Sequence, residues 1–446
     1  MTEGVSTLVF DFGSGSLRYG YAGDDAPREF DPSFRGTVKK YVVEHSLGPR
    51  MVGMREMPEG GYVGEEAQAR RGILSLDYPV KRGLIEDWVG FERLVSHCLN
   101  LSSGNRSEYS PFMFCHSPYH PPSSNDRLCE LLFEKFDALN LKLGTHAELA
   151  ALACGHEICL IVDFGAGRTT VTPCYYGYLL NSAARNVHFG GFDLVTYLHR
   201  LIIAETGYYL STSSEFDILR DIQKTVCYVS ERRPIIAGND TRAPSWSDAS
   251  TTETFILPDG QTLTLSDALR QSSEAIFNPS LLGREIETCP SLASIILKTV
   301  KACPVDCRAQ LLKNIVLVGC PTKLKGFKTR LREELVQESS GEVRFLSSIL
   351  DNTQTTRTHL ERIPYELLEQ VHCKIRHHYE ARINIVEDPA VQQHAAWLGG
   401  SIVASLCDFS QQSGISKRLY DETGPASWRK YSTYVSPYSS LKPDCP

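Results

Sequence analysis

At 446 residues the chain exceeds the usual size of one domain, so two or more are expected, and its 42% hydrophobic and 22% charged content is that of an ordinary globular protein. A net charge of −7 excludes nucleic-acid binding driven by bulk positive charge, and no apolar run is long enough to span a bilayer. The 14 cysteines are scattered and only Cys303 and Cys307 are close-paired, which predicts buried reduced thiols rather than a zinc site; with no signal-peptide pattern the chain reads as intracellular.

Strand-like and helical patterns alternate along the chain, as in an α/β protein. The apolar run Leu8-Val-Phe10 enters Asp11-Phe-Gly-Ser-Gly-Ser16 and leaves along Leu17-Arg-Tyr-Gly-Tyr21, which predicts a hairpin. Residues 36–61 are polar and Gly-rich and read as a long exposed loop, while residues 86–140 alternate helix, loop and helix around the buried strand Phe112-Met-Phe-Cys115. A second hairpin starts at Cys159-Leu-Ile-Val162 and turns at Asp163-Phe-Gly-Ala-Gly-Arg168. Helical spacing follows over 192–203 and 215–230, and Ile315-Val-Leu-Val-Gly319 is a strand running into a glycine. The segment near 337–387 is less regular and rich in Arg and His, with an amphipathic helix candidate over 365–376 following Pro364. Its histidines, His359, His372, His377 and His378, lack metal-ligand spacing, and residues 425–446 read as a loosely ordered extension.

The two turns repeat one order, Asp-Phe-Gly-x-Gly, about 150 residues apart. Glycines that accept positive φ let backbone N–H groups hold phosphate oxygens, and a strand-end Asp positions a phosphate-bound cation through water. Gly13, Ser14, Gly15, Ser16, Gly165 and Gly167 are therefore candidate phosphate-binding residues, and Asp11 and Asp163 candidate metal-positioning residues. The repetition suggests two similar domains, 1–155 and 156–424, facing one nucleotide.

Around this repeat the sequence resembles actin. The likeness is carried by the first turn with Tyr21-Ala-Gly-Asp-Asp-Ala-Pro-Arg28, by Met51-Val-Gly-Met54, Tyr62-Val-Gly-Glu-Glu-Ala-Gln68, Arg71-Gly-Ile-Leu-Ser-Leu76 and Tyr78-Pro79, and by Arg220-Asp-Ile222 with Cys227-Tyr-Val229. It continues through Leu257-Pro-Asp-Gly260, Trp397-Leu-Gly-Gly-Ser-Ile402, Ile415-Ser-Lys417 and Gly424-Pro425. The resemblance implies the actin-like ATPase-domain fold, with two αβ domains around a central cleft holding ATP or ADP with Mg or Ca, and C-terminal helices returning to the first domain. It also marks Arg18, Arg220 and Gly319 as nucleotide-binding positions.

Departures from the resemblance are concentrated in the cleft. Arg18 stands where actins carry a phosphate-contacting lysine, Ala166 where they carry a second-hairpin aspartate, and His146 where a glutamine orients water. Gln223 and Lys224 replace a lysine and a glutamate of the nucleotide site, Cys320 replaces a glycine, and Gln393 replaces the lysine that covers adenine. The resemblance thus implies an actin-related subunit of a larger protein assembly, with actin among its candidate partners, and weak or absent ATP hydrolysis. His146 is the only candidate catalytic residue. No membrane or direct nucleic-acid partner is expected, and the location implied is the cytoplasm or cytoskeleton, with the nucleus as alternative. A divergent polymerising actin is the second reading, and an enzyme of the wider sugar-kinase superfamily a remote third.

Overall fold

The computed structural model describes residues 7–27, 29–31, 35–38, 61–102, 111–210, 212–234, 246, 251–283, 289–352, 382–386, 388–406 and 414–430. The 39–60 part of the expected loop, the helix candidate over 365–376 and its neighbouring histidines lie outside the described residues.

Two mixed sheets share one plan. In the first, Leu8–Phe12 pairs antiparallel with Leu17–Tyr21 and, on its other side, parallel with Pro111–His116, which is followed in parallel by Asn140–Thr145. In the second, Ile158–Phe164 pairs antiparallel with Thr169–Tyr175 and parallel with Ile315–Val318, then Ile385–Val386. Parallel strands need helical crossovers and are covered on both faces, so they read as continuous apolar runs rather than alternating ones. Phe10, Phe12, Phe91, Phe112 and Phe114 fill the first core, with ring centroids 4.8–6.3 Å apart. Offset and edge contacts at such spacings favour aromatic packing beyond area alone.

The C-terminal part returns to the first sheet: Ile415–Ser416 pairs with Asn140 and Leu141 at its edge. The helix Pro389–Ser405 crosses the helix His146–Cys154 so closely that a Cβ on Gly399 would lie 1.9 Å from the Leu149 carbonyl oxygen. Buried Trp397 fastens that helix to the first strand, donating from Nε1 to the Val9 carbonyl at 3.3 Å.

Three expectations need correcting. The glycines of the two turns, Gly13, Gly15, Gly165 and Gly167, do not have positive φ. Each hairpin instead closes over four residues, with Gly13 N donating to Ser16 O and Gly165 N to Arg168 O, both at 2.9 Å; four-residue loops are usually built on a type I turn, which keeps φ negative. Glycine is needed there for close approach. A Cβ on Gly15 would sit 2.7 Å from the Ala166 Cβ, and one on Gly167 would sit 2.8 Å from the Arg82 Cα. Second, the irregular segment expected from Gln337 begins inside a regular helix, Phe327–Asn352. Ser339, Ser340 and Gly341 look like a break, yet each costs a helix interior only about 1 kcal/mol or less, and Phe327, Leu331 and Leu335 anchor the preceding turns in the second core. Third, residues 425–430 are not loose but form a 3-10 helix. Trp428 is buried in the first core and donates to Asp126 at 2.6 Å. No helix among the described residues is long and apolar enough to cross a membrane, and the described cysteines, Cys303 and Cys307 included, are unbridged.

Candidate functional site

The carboxyl ends of the central strands of both sheets face each other across a cavity of about 560 Å³, the place where parallel sheets put their ligands. All twelve residues singled out from the sequence line it: Asp11, Gly13, Ser14, Gly15, Ser16 and Arg18 from the first hairpin, His146, Asp163, Gly165 and Gly167, and Arg220 and Gly319. Gly319 ends its strand at φ +102°, and a Cβ there would lie 2.1 Å from the Phe164 carbonyl oxygen, so only glycine fits.

Asp11, next to last in the first strand, is 3% exposed, and its two oxygens are both engaged. Arg18, directly opposite in the hairpin register, donates from Nη1 to Oδ2 at 2.7 Å. His146 Nε2 stands 3.1 Å from Oδ1 but off the hydrogen-bonding line, so the contact is electrostatic rather than a straight hydrogen bond. Burial alone pushes the Asp11 carboxyl up; Arg18 and His146 outweigh it and hold it well below the usual range. His146 is the first residue of its helix, behind the Thr145 cap whose hydroxyl accepts from Glu148 N. Burial favours the neutral imidazole, yet Asp11 and then Asp163 raise its pKa. Asp163 behaves oppositely: burial is the largest influence and pushes its carboxyl up to about 6. Among the described residues its side chain has no hydrogen bond or ion pair.

The two halves are clasped by side chains. Arg168 donates to Ser117 Oγ at 3.1 Å and Arg220 to the Gly15 carbonyl at 3.0 Å, with the Arg220 guanidinium also bonded to the Tyr78 hydroxyl. Arg220 therefore lines the cavity with its terminal nitrogens already occupied in bridging the halves. A tight turn at Arg82 and Gly83, both at positive φ, aims Arg82 at Asp193, 3.1 Å away, while Gly83 N donates to Ser14 Oγ at 2.8 Å. Farther out, Arg71 bonds Asp217 at 2.8 Å. At the outer end Lys323 hydrogen-bonds Gln393, and the Pro321 ring packs on Gly191.

Sequence reading missed Arg168, although it is the last residue of the second turn and the counterpart of Ser16 in the first. It also missed Ser117, Arg82 and Tyr78, whose role depends on the opposite half and leaves no local pattern. With Arg168 included, six cations among the described residues line the cavity, Arg18, Arg168, Arg220, Lys224, Lys323 and Lys325, against the carboxylates of Asp11 and Asp163. Volume, glycine-lined turns and charge suit a nucleotide polyanion. A divalent cation fits poorly: Asp11 is engaged on both oxygens, residue 166 offers only a methyl, and no three His, Cys, Asp or Glu side chains gather as a metal-holding group among the described residues. The family model described as Actin matches residues 2–432.

Proposed function

The chain belongs to the actin family, and on that premise we propose that it serves as a structural subunit of a multiprotein assembly, cytoskeletal or chromatin-associated, holding nucleotide without an efficient hydrolytic cycle. The clasp across the cleft carries this reading. Arg168 to Ser117, Arg220 to Gly15 and Arg82 to Asp193 join the halves directly through protein groups, in addition to any link that a phosphate chain would make. Direct links of this kind favour one arrangement of the halves, which suits a fixed scaffold better than a machine that opens and closes with its ligand.

The chemistry supports the same reading. A water-activating residue must have a free acceptor near the attacking water, whereas His146 faces two carboxylates that favour its protonated, non-basic form. His146→Gln alone is therefore expected to leave hydrolysis far below that of a filament-forming actin, because Ala166 and Gln223 also differ; substantial turnover from that single change would contradict the reading. Other protein subunits, actin among them, are the proposed partners, in the cytoplasm or in the nucleus. The deciding experiment combines salt-induced pelleting with phosphate release. Neither is expected from the purified chain, whereas long sedimenting polymers that release phosphate would identify a polymerising actin instead. Subunits co-purifying from its own cells would then distinguish cytoskeletal from chromatin assemblies.

A further inference from the structure

Polyphosphates are usually bound together with a divalent cation, which requires carboxylate oxygens free to hold its water shell. Here Asp11 is committed to Arg18 and His146, and the Ala166 methyl lies against Gly15, leaving Asp163, among the described residues, as the one uncommitted carboxylate lining the cavity. Six Arg and Lys side chains face these two carboxylates, in a chain whose net charge is −7. The cavity therefore has a local positive excess against the sign of the whole protein.

We propose that the cleft takes a nucleoside di- or triphosphate as the free anion, with Arg18 and Arg168 supplying the charge that a divalent cation would otherwise bring; this rests on the nucleotide reading above. Arg168 is 7% exposed and fixed by Ser117 Oγ at 3.1 Å. Its Nε lies 3.5 Å from where a Gly83 Cβ would stand, and Gly83 N bonds Ser14 Oγ, so the guanidinium sits beside the tip of the first turn. Arg18 stands at the base of the same turn, bonded to Ser16 Oγ at 3.1 Å. Two planar guanidinium groups flank one glycine-lined turn. Such groups match phosphate oxygens in pairs and keep their charge at any physiological pH.

The test is calorimetric titration of the full chain with ATP, in EDTA and in millimolar Mg²⁺. Affinities within tenfold of each other are expected. A loss greater than tenfold in EDTA overturns cation independence and leaves the nucleotide reading standing, whereas absence of binding in both buffers overturns both. Arg168→Met should weaken binding in EDTA by about tenfold or more, the usual scale for a charge-assisted bond, and Arg168→Lys by less; melting of the unliganded variants reports whether they fold. Asp163→Asn separates the alternatives without touching a cation-forming residue. With a negative charge removed beside the polyphosphate, binding in EDTA should hold or tighten, and a tenfold loss confined to Mg²⁺ would show that Asp163 positions a metal after all.

Discussion

Replacing Asp163 by Asn should stabilise the protein, and the gain should depend on pH in a defined way. Burial pushes this carboxyl from 3.8 to about 6, with Asp11 adding to the rise and His146, Arg18 and Arg168 opposing it. A carboxyl whose folded pKa lies above its unfolded value opposes folding when ionised. The penalty is absent below the unfolded pKa, grows as pH rises between the two values, and levels off above the folded one. A gap of about two units corresponds to at most about 3 kcal/mol, and water reaching the cleft reduces this toward about 1 kcal/mol. His146 loses one of the two carboxylates that raise its pKa, which trims the gain further. Asp163→Asn should therefore raise the unfolding free energy by about 1–3 kcal/mol at pH 8, by roughly half as much at pH 5, and by almost nothing near pH 3.5. Urea unfolding of both proteins in EDTA at these three pH values measures the difference directly. A difference that is flat with pH, or that favours the wild type at pH 8, would refute the account of Asp163 as an uncompensated buried charge.

Gly319→Ala should abolish soluble folding, since it puts a methyl 2.1 Å from the Phe164 carbonyl at φ +102°; a soluble variant with native circular dichroism would contradict this. Arg330 is 1% exposed and bonds Glu274 at 2.6 Å and Glu334 at 2.7 Å, so Arg330→Met should cost about 3–5 kcal/mol in chemical denaturation at pH 8. Burial raises Glu274 to about 7 even with Arg330 lowering it, so without Arg330 it takes up a proton at higher pH still, and that loss should shrink as the pH falls toward about 7. Trp428→Ala removes both the packing and the Asp126 bond of the 3-10 helix, and should lower stability by about 3–5 kcal/mol. An unchanged melting temperature would mean that this segment does not brace the first core.

The paired hairpins were legible in the sequence because their strands are continuous apolar runs and their turns carry a repeated local motif. Positions 319 and 399 were legible as glycines but not as necessities, since the atoms that exclude a side chain there belong to Phe164 and Leu149, distant in sequence. The same limit explains the clasp. Arg168 ends the repeated turn and Tyr78 belongs to a segment carrying the resemblance, while Arg82 sits in an ordinary context, yet only the approach of the other half gives all three their partners. Arg220 shows the converse: the resemblance marks it for the nucleotide, but the fold directs its donors to Gly15 and Tyr78. The 425–430 helix was missed because a short 3-10 turn has no periodicity to detect, and Trp428 alone signals that the chain is still packed.

Contact between Ala166 and Gly15 also acts as a mechanical stop. A Cβ on Gly15 would come within 2.7 Å of the Ala166 methyl, so the two turns leave no room for a side chain at position 15. Residue 166 is thus one of the points at which the two halves, like the arms of a calliper, meet, Gly167 against Arg82 being another. An alanine at position 15 therefore requires a shift of one turn, or a glycine at position 166. These two sites, on turns of different sheets and far apart in the chain, share one small volume and are expected to vary together.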